Sequence, residues 1–160
     1  MIILFGLGNP GKKYEGTRHN VGSRIIRKLE RLNLKDVVLV RPTTFMNESG
    51  KAVKKIIKNY KLKIENLIVI HDDIDLPLGK IKIVKNRGSA GHKGVESIIR
   101  EIRTKSFVRF RIGIQPKTGK PKNVGRFVLQ DFNKEEKKIF KESVRKALLA
   151  IKLIITKGLK

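Results

Sequence analysis

The sequence contains no cysteine, and its 14 acidic residues are outnumbered by 38 lysines and arginines. The absence of cysteine excludes a disulfide scaffold, a cysteine-liganded metal and a cysteine nucleophile. The amino terminus lacks a basic stretch followed by a small-residue cleavage site, so we expect no signal peptide. The longest apolar stretch, residues 147–155, is short and is interrupted by Lys152. We therefore expect no membrane-spanning segment and a cytoplasmic protein.

The scarcity of acidic residues gives the chain a formal net charge of +24. A surface this positive attracts polyanions, and nucleic acid is the leading candidate partner. The alternative is that the lysine content reflects a general compositional bias of the source proteome, which would explain the excess of basic residues equally well. Hydrophobic residues make up 39% and charged residues 32% of the 160 residues. This composition predicts one globular domain, residues 1–160, with a substantial core.

Hydrophobic periodicity predicts strands that alternate with helices along the chain. We expect strands at 2–7, 37–40, 66–70, 80–85 and 107–114. We expect helices at 22–33, from a Ser49 cap to Tyr60, from the 88–94 loop to about Arg103, and after a cap near Asn133. Residues 124–129 are predicted to form a short strand or an extended lid segment. The pattern indicates an α/β fold, a single domain with a twisted mixed β-sheet covered by helices on both faces.

Polar residues follow three of the predicted strands, in the loops 8–20, 42–47 and 71–75. Functional sites in α/β sheets gather outside the carboxyl ends of the strands, so these loops are the candidate site. The chain has no cysteine and no serine in a nucleophile-elbow turn, so covalent catalysis has no obvious agent. A histidine that activates water is the remaining economical option.

Four residues of these loops suit such chemistry. His19 is the candidate base, and Asp72 is the natural acceptor that would fix its tautomer and stabilise the imidazolium. The amides of Asn9 and Asn47 could donate hydrogen bonds to a carbonyl oxygen as negative charge develops on it. The combination predicts hydrolysis of an ester or amide by water.

Simpler interpretations remain open for each of these motifs. Residues 6–11 could form a phosphate-binding loop, although Pro10 interrupts the glycine pattern and no helix is predicted to start there. The histidine and three aspartates of residues 71–75 could bind a divalent metal, although neighbouring residues at a strand end point in opposite directions. Taken alone, His19 could cap a helix and Asp72 could satisfy a turn.

Six segments occur in an order that makes the chain resemble bacterial-type peptidyl-tRNA hydrolases over most of its length. They are GLGNPG at 6–11, TRHN at 17–20, PTTFMN at 42–47, HDDIDLPLG at 71–79, GSAGHKG at 88–94 and RFRIGI at 109–114. The resemblance implies a monomeric α/β hydrolase that cleaves the ester between a peptide and the 3′ end of tRNA. It further implies recycling of tRNA from aborted translation, with no metal or other cofactor and no membrane partner.

The resemblance also implies a role for each matching residue. His19 would be the general base on water, Asp72 would hold and polarise it, and Asn9 would position the substrate. Further residues would contact the substrate or its tRNA: Tyr14, Phe45 and Asn47 near the ester, Met46 packing beside them, His92 on the adjoining loop, and Lys82 and Arg111 on tRNA phosphates.

The chain departs from the family pattern in a few places. Lys93 stands where an asparagine that helps hold the peptide is usual. We hypothesise that its ammonium disfavours the partly protonated amine of an unblocked aminoacyl-tRNA; alternatively it reaches solvent or a tRNA phosphate. The chain is also short between Asn33 and Val37, where a β-hairpin is usual, and short at its end. Arg126 adds a basic residue to the lid-like segment.

Two other functions compete with this hydrolase. One is a non-catalytic RNA-binding relative, which would not need His19, Asp72 and both asparagines. The other is a general esterase acting on small substrates, which would have no use for a basic surface. A strong decrease of substrate affinity with salt would favour a nucleic-acid partner over a small ester.

Overall fold

The computed structural model describes residues 1–158 and contains one five-stranded sheet. Its strands are β1 (Ile2–Gly6), β2 (Val37–Val40), β3 (Leu67–Pro77), β4 (Ile81–Lys85) and β5 (Val108–Gln115). They lie in the order β2-β1-β3-β5-β4. Three of the pairings are parallel, and β4 runs antiparallel to β5. The predicted mixed sheet is thereby confirmed.

Helices cover both faces of this sheet. They are α1 (Val21–Glu30), α2 (Ser49–Tyr60), α3 (Lys93–Ile102), α4 (Val124–Val128) and α5 (Lys134–Lys157). Alternate residues of a strand point to opposite faces, so Leu4 packs in the core with α1 and α5, while Ile3 and Phe5 pack in the core with α2 and α3. The predicted fold class is confirmed.

The third strand is longer than its apolar run predicts. The sequence places its end at Ile70, with the polar residues beyond it, whereas β3 continues to Pro77. The reason is its partner: β5 pairs with β3 at His71 and Asp72, while β1 ends at Gly6, opposite Ile70. The polar residues therefore lie on a paired strand that extends past the end of β1, rather than on a loop.

The segment 124–129 is helical, so the prediction of a strand or an extended lid is wrong. Asn123 caps α4 by accepting a hydrogen bond from the backbone N–H of Arg126 at 3.0 Å. At the last helix, Asn133 and Glu136 form a reciprocal capping box, which confirms the predicted start of α5.

Three smaller expectations about the helices are wrong. Ser49 is the first residue of α2 rather than its cap, and its hydroxyl donates back to the carbonyl of Met46 at 2.7 Å. The first helix ends at Glu30, so Leu32 lies outside it and is 38% exposed. The helical spacing of Ala52, Val53, Ile56, Ile57 and Tyr60 predicts that Tyr60 faces inward on α2, but it is 48% exposed at the end of that helix. Within residues 1–158, no helix is long and apolar enough to cross a membrane.

Candidate active site

A cavity of about 580 Å³ opens beyond the end of β1, beside the extension of β3. It brings together residues that are far apart in the sequence. Of the eleven residues to which the sequence assigns a role in catalysis or in substrate or tRNA binding, eight line it: Asn9, His19, Phe45, Met46, Asn47, Asp72, His92 and Lys93. Three do not line it: Tyr14, Lys82 and Arg111.

His19 and Asp72 form a buried pair at this cavity. His19 lies in a short 3-10 turn that leads directly into α1, and Asp72 lies on the extension of β3. The ring Nδ1 of His19 is 2.8 Å from Oδ2 of Asp72. With Nδ1–H donating to the carboxylate, Nε2 on the opposite side of the ring keeps its lone pair. His19 thus has the tautomer that a base requires.

The two groups of the pair shift each other's pKa. Burial would raise the pKa of Asp72, but the neighbouring rings of His19 and His92 outweigh it and hold that pKa well below its ordinary value. Burial would lower the pKa of His19, but the charge and hydrogen bond of Asp72 outweigh it, so the pKa of His19 lies above 6.5. Lys93 acts in the opposite direction and lowers the pKa of His19. Asp72 therefore stays ionised and favours the imidazolium.

His92 makes a contact with Asp72 that the sequence did not predict. Its Nε2 is 2.8 Å from Oδ1, the second oxygen of Asp72. Its Nδ1 accepts from the backbone N–H groups of Gly94 and Val95 at 3.1 and 3.3 Å, at the start of α3. Because a backbone N–H can only donate, Nδ1 carries no proton, and Nε2–H must donate to Asp72. The carboxylate therefore accepts one hydrogen bond from each of two histidines.

The side chain of Asn9 is held by its amide oxygen, which leaves its amide nitrogen free to donate. Its side-chain Oδ1 accepts from the backbone N–H of Met46 at 2.8 Å, which assigns the amide orientation. Asn20 braces the backbone of Asn9, accepting from its N–H at 2.8 Å and donating to its carbonyl at 2.9 Å. The Nδ2 group of Asn9 remains available as a donor at the cavity. No role for Asn20 was predicted from the sequence; its signals were its place directly after His19 and in the TRHN segment.

His71 forms a layer behind the site. Its ring is fully buried, its Nδ1 donates to the carbonyl of Asp72 at 2.7 Å, and burial holds its pKa well below 6.5. Arg109 lies 3.4 Å from its Nε2 and donates to the carbonyl of Gly88 at 2.8 Å. The chain's three histidines lie next to one another: the ring centroids of His19 and His92 are 4.9 Å apart with the planes tilted by 45°, and those of His92 and His71 are 4.8 Å apart, edge to face.

Aromatic and polar side chains frame the cavity mouth. Phe45 is 53% exposed and meets Tyr14 edge to face, with ring centroids 6.4 Å apart. Asn47 is exposed beside them and Met46 is buried beneath. Lys93 is exposed at the first position of α3. The mouth therefore offers apolar surface, an amide and a cation to a substrate.

Lys82 and Arg111 lie outside the cavity on the β4 edge of the sheet. They are direct cross-strand partners on β4 and β5. Lys82 is exposed, whereas Arg111 is partly buried and forms an ion pair with Asp73. The structure thus places two cations side by side, but Arg111 is neutralised by a carboxylate that the sequence did not predict as its partner.

The residues that could hold a metal differ from the set suggested by the sequence. In residues 71–75 the side chains diverge: Asp72 faces His19, Asp73 pairs with Arg111, and Asp75 pairs with Lys120 at 2.8 Å. The ligand atoms of His19, Asp72 and His92 instead lie within 4.8 Å of one another. Nδ1 of His19 and Nε2 of His92 are already bonded to Asp72, so an ion bound through these two atoms would have to replace both hydrogen bonds.

These features define a class of protein. A buried His–carboxylate pair, in a cavity also lined by an amide donor at the carboxyl end of a parallel sheet, is an arrangement suited to hydrolysis of an ester or amide. The family model described as peptidyl-tRNA hydrolase matches residues 3–160. The chain belongs to the peptidyl-tRNA hydrolase family, which confirms the family and the class of enzyme predicted from the sequence.

Individual relatives agree with this assignment. A curated protein named peptidyl-tRNA hydrolase from Thermodesulfovibrio yellowstonii is 45% identical over 180 residues, covering 99% of this chain and 94% of its own. The protein of the same name from Aquifex aeolicus is 43% identical over 166 residues, which cover 91% of this chain and 85% of its own. The crystal structure of peptidyl-tRNA hydrolase from Acinetobacter baumannii superposes with a TM-score of 0.86 at 28% identity, covering 98% of this chain and 89% of the other.

Proposed function

We propose that this chain hydrolyses the ester between a peptide, or an N-blocked aminoacyl group, and the 3′ end of tRNA, using water activated by His19. The observation that carries the proposal is the 2.8 Å contact of His19 Nδ1 with the buried carboxylate of Asp72, in a cavity also lined by Asn9. It supplies an oriented base whose partner stabilises the imidazolium formed when the base takes a proton.

The proposed reaction needs only these groups and water. Nε2 of His19 removes a proton from water as the water oxygen bonds to the ester carbonyl carbon. The amide nitrogen of Asn9, and that of Asn47 at the mouth, donate to the carbonyl oxygen as it becomes negative. The imidazolium then returns the proton to the 3′ oxygen of the ribose as the C–O bond breaks. The products are a free carboxylic acid and tRNA with its 3′ hydroxyl.

The surface charge supports tRNA as the carrier of the ester. A net charge of +24 favours a polyanion, and the exposed Lys82 on the β4 edge is a candidate phosphate contact. We infer that Lys82 and Arg111 bind tRNA phosphate, with Arg111 exchanging or sharing its contact to Asp73. Recycling of tRNA from aborted translation, in the cytoplasm and as a monomer, completes the proposal.

The test compares wild type with His19→Ala on N-acetylaminoacyl-tRNA, with a metal chelator in both reactions. We expect chelator-insensitive release by the wild type and a loss of about 10²–10⁴-fold in the variant, the usual contribution of a general base. Tight tRNA binding without cleavage by the wild type would instead indicate an RNA-binding relative.

A salt titration separates the tRNA hydrolase from a general esterase. Affinity for aminoacylated tRNA should fall steeply with salt, and Lys82→Ala should reduce the slope by about 1, as expected for the loss of one phosphate contact. Lys54→Ala, at an exposed position of helix α2 rather than on the β4 edge, is the matched control and should leave the slope unchanged. A short nucleotide ester should be cleaved equally well by both variants. Equal losses on tRNA and the short ester would contradict a phosphate role for Lys82.

A further inference from the structure

Arg18, the residue before His19, is buried against a segment more than a hundred residues away. Its side chain is 7% exposed, and its Nη2 donates to Oε1 of Glu136 at 2.8 Å. Its Nη1 donates to the carbonyl of Phe127 at 3.1 Å, with that of Gln130 at 3.4 Å. The guanidinium stacks on the Phe127 ring, 3.8 Å from its centroid. One side chain thus contacts the end of α4 and the start of α5.

The helix held in this way forms one wall of the cavity. Val124, Gly125, Val128 and Leu129, from α4 and its carboxyl cap, all line it. With five residues, α4 is far too short to be stable without tertiary contacts. The carbonyl of Phe127 accepts from the backbone N–H of Gln130 at 3.1 Å, and Arg18 adds a second, charged donor to it. A cation at the carboxyl end of a helix also complements its dipole. The position of this wall therefore depends on what anchors Phe127.

We propose that Arg18 is a positioning residue: by anchoring α4, it holds one wall of the cavity in place for the substrate. The proposal rests on the proposed hydrolase function. It assigns Arg18 no contact with the reacting atoms: its guanidinium faces the α4–α5 connection, whereas the ring of His19 faces Asp72. The same turn of backbone thus carries the base and fixes the surface against which the substrate lies.

This arrangement predicts an effect on substrate binding rather than on the chemical step. Removing the guanidinium leaves two backbone bonds, from Arg18 N–H to the carbonyl of Gln130 and from Gln130 N–H to the carbonyl of Phe127. It removes the side-chain bond to the Phe127 carbonyl and the stacking on the Phe127 ring. If α4 is then docked for about a tenth of the time, the apparent affinity falls about tenfold, because only the docked fraction binds well. The His19–Asp72 bond is untouched, so kcat and its pH midpoint should stay close to those of the wild type.

The experiment uses Arg18→Met and Glu136→Gln, with Glu135→Gln as the matched control. Glu135 is exposed on the same first turn of α5, so its variant should behave as wild type. We expect KM for N-acetylaminoacyl-tRNA to rise about tenfold in Arg18→Met and by a smaller factor in Glu136→Gln. An unchanged KM, or a loss confined to kcat with a shifted pH midpoint, would overturn the proposal.

Hydrogen exchange tests the anchor without any substrate. The backbone N–H groups of Phe127, Leu129 and Gln130 are hydrogen-bonded within α4 and its cap, so release of the helix should speed their exchange about tenfold in Arg18→Met. Unchanged exchange there in folded Arg18→Met and Glu136→Gln would refute the anchor, even if the wild type proves to be a hydrolase. Faster exchange with no hydrolysis by the wild type would refute the hydrolase function and leave the anchor standing.

Discussion

Asp72→Asn should inactivate the site by reversing a tautomer, because His92 determines which way the introduced amide points. The backbone N–H groups of Gly94 and Val95 occupy Nδ1 of His92, so its Nε2–H must donate. The introduced amide must then turn its oxygen to His92 and its NH₂ group to His19. Nδ1 of His19 becomes an acceptor, its proton moves to Nε2, and the base is lost.

We expect kcat to fall about 10⁴-fold. Replacing the aspartate of a Ser-His-Asp triad by asparagine causes a loss of about this size, because it produces the same wrong tautomer of the histidine. The geometry also predicts a rescue. In the double variant Asp72→Asn/His92→Ala nothing fixes the amide, so its oxygen can turn to Nδ1 of His19. We expect the double variant to be about tenfold faster than Asp72→Asn alone, or about 1.4 kcal/mol lower in barrier.

Single-turnover release of N-acetylaminoacyl groups, with enzyme in excess over tRNA, measures these rates free of product release. His92→Ala alone is the control: Asp72 keeps its bond to His19, so the loss should be about tenfold or less, the value of one hydrogen bond. A double variant no faster than Asp72→Asn, with all proteins folded, would refute the tautomer argument.

Three further predictions address stability and selectivity. The pKa of His71 is depressed in the folded protein, so as the pH drops below 6.5 His71 is protonated in the unfolded chain before it is in the folded one. The free energy of unfolding therefore falls by up to about 1.4 kcal/mol per pH unit. In urea unfolding, the stability of His71→Asn should depend less on pH than that of the wild type. In Gly50→Ala the new Cβ would clash with the backbone oxygen of Ser97, so the free energy of unfolding measured in urea should fall by about 1–3 kcal/mol. Gly125→Ala should show no such loss, because the atom nearest to its new Cβ would be 3.8 Å away. Lys93→Asn should narrow the preference for N-acetylated over free aminoacyl-tRNA, and an unchanged rate ratio would contradict repulsion of the free amine.

The sequence was sufficient for the central strands and for the set of polar groups at their ends. Apolar runs locate β1 and the first part of β3, and the residues that follow them supply Asn9, His19 and Asp72. The prediction worked because these features are local: a buried strand needs a continuous apolar run, and the loop after it carries the polar residues.

The sequence failed where a contact between distant segments decides the outcome. The extension of β3 to Pro77 depends on pairing with β5, which its own polar residues do not signal. The second bond to Asp72 depends on the start of α3 bringing His92 to the site. The helical state of residues 124–128 depends on a cap and on the contacts of Arg18, since so short a helix has little intrinsic stability.

In the proposed reaction, water activated by His19 attacks the ester carbonyl directly. One turnover in H₂¹⁸O, with enzyme in excess and both products and the enzyme examined by mass spectrometry, tests it most directly. Direct attack by water places one ¹⁸O in the carboxylate of the released N-acetyl amino acid and none in the tRNA 3′ hydroxyl, and no acylated enzyme forms at any time. A covalent acyl adduct on the chain, or ¹⁸O in the ribose, would contradict it.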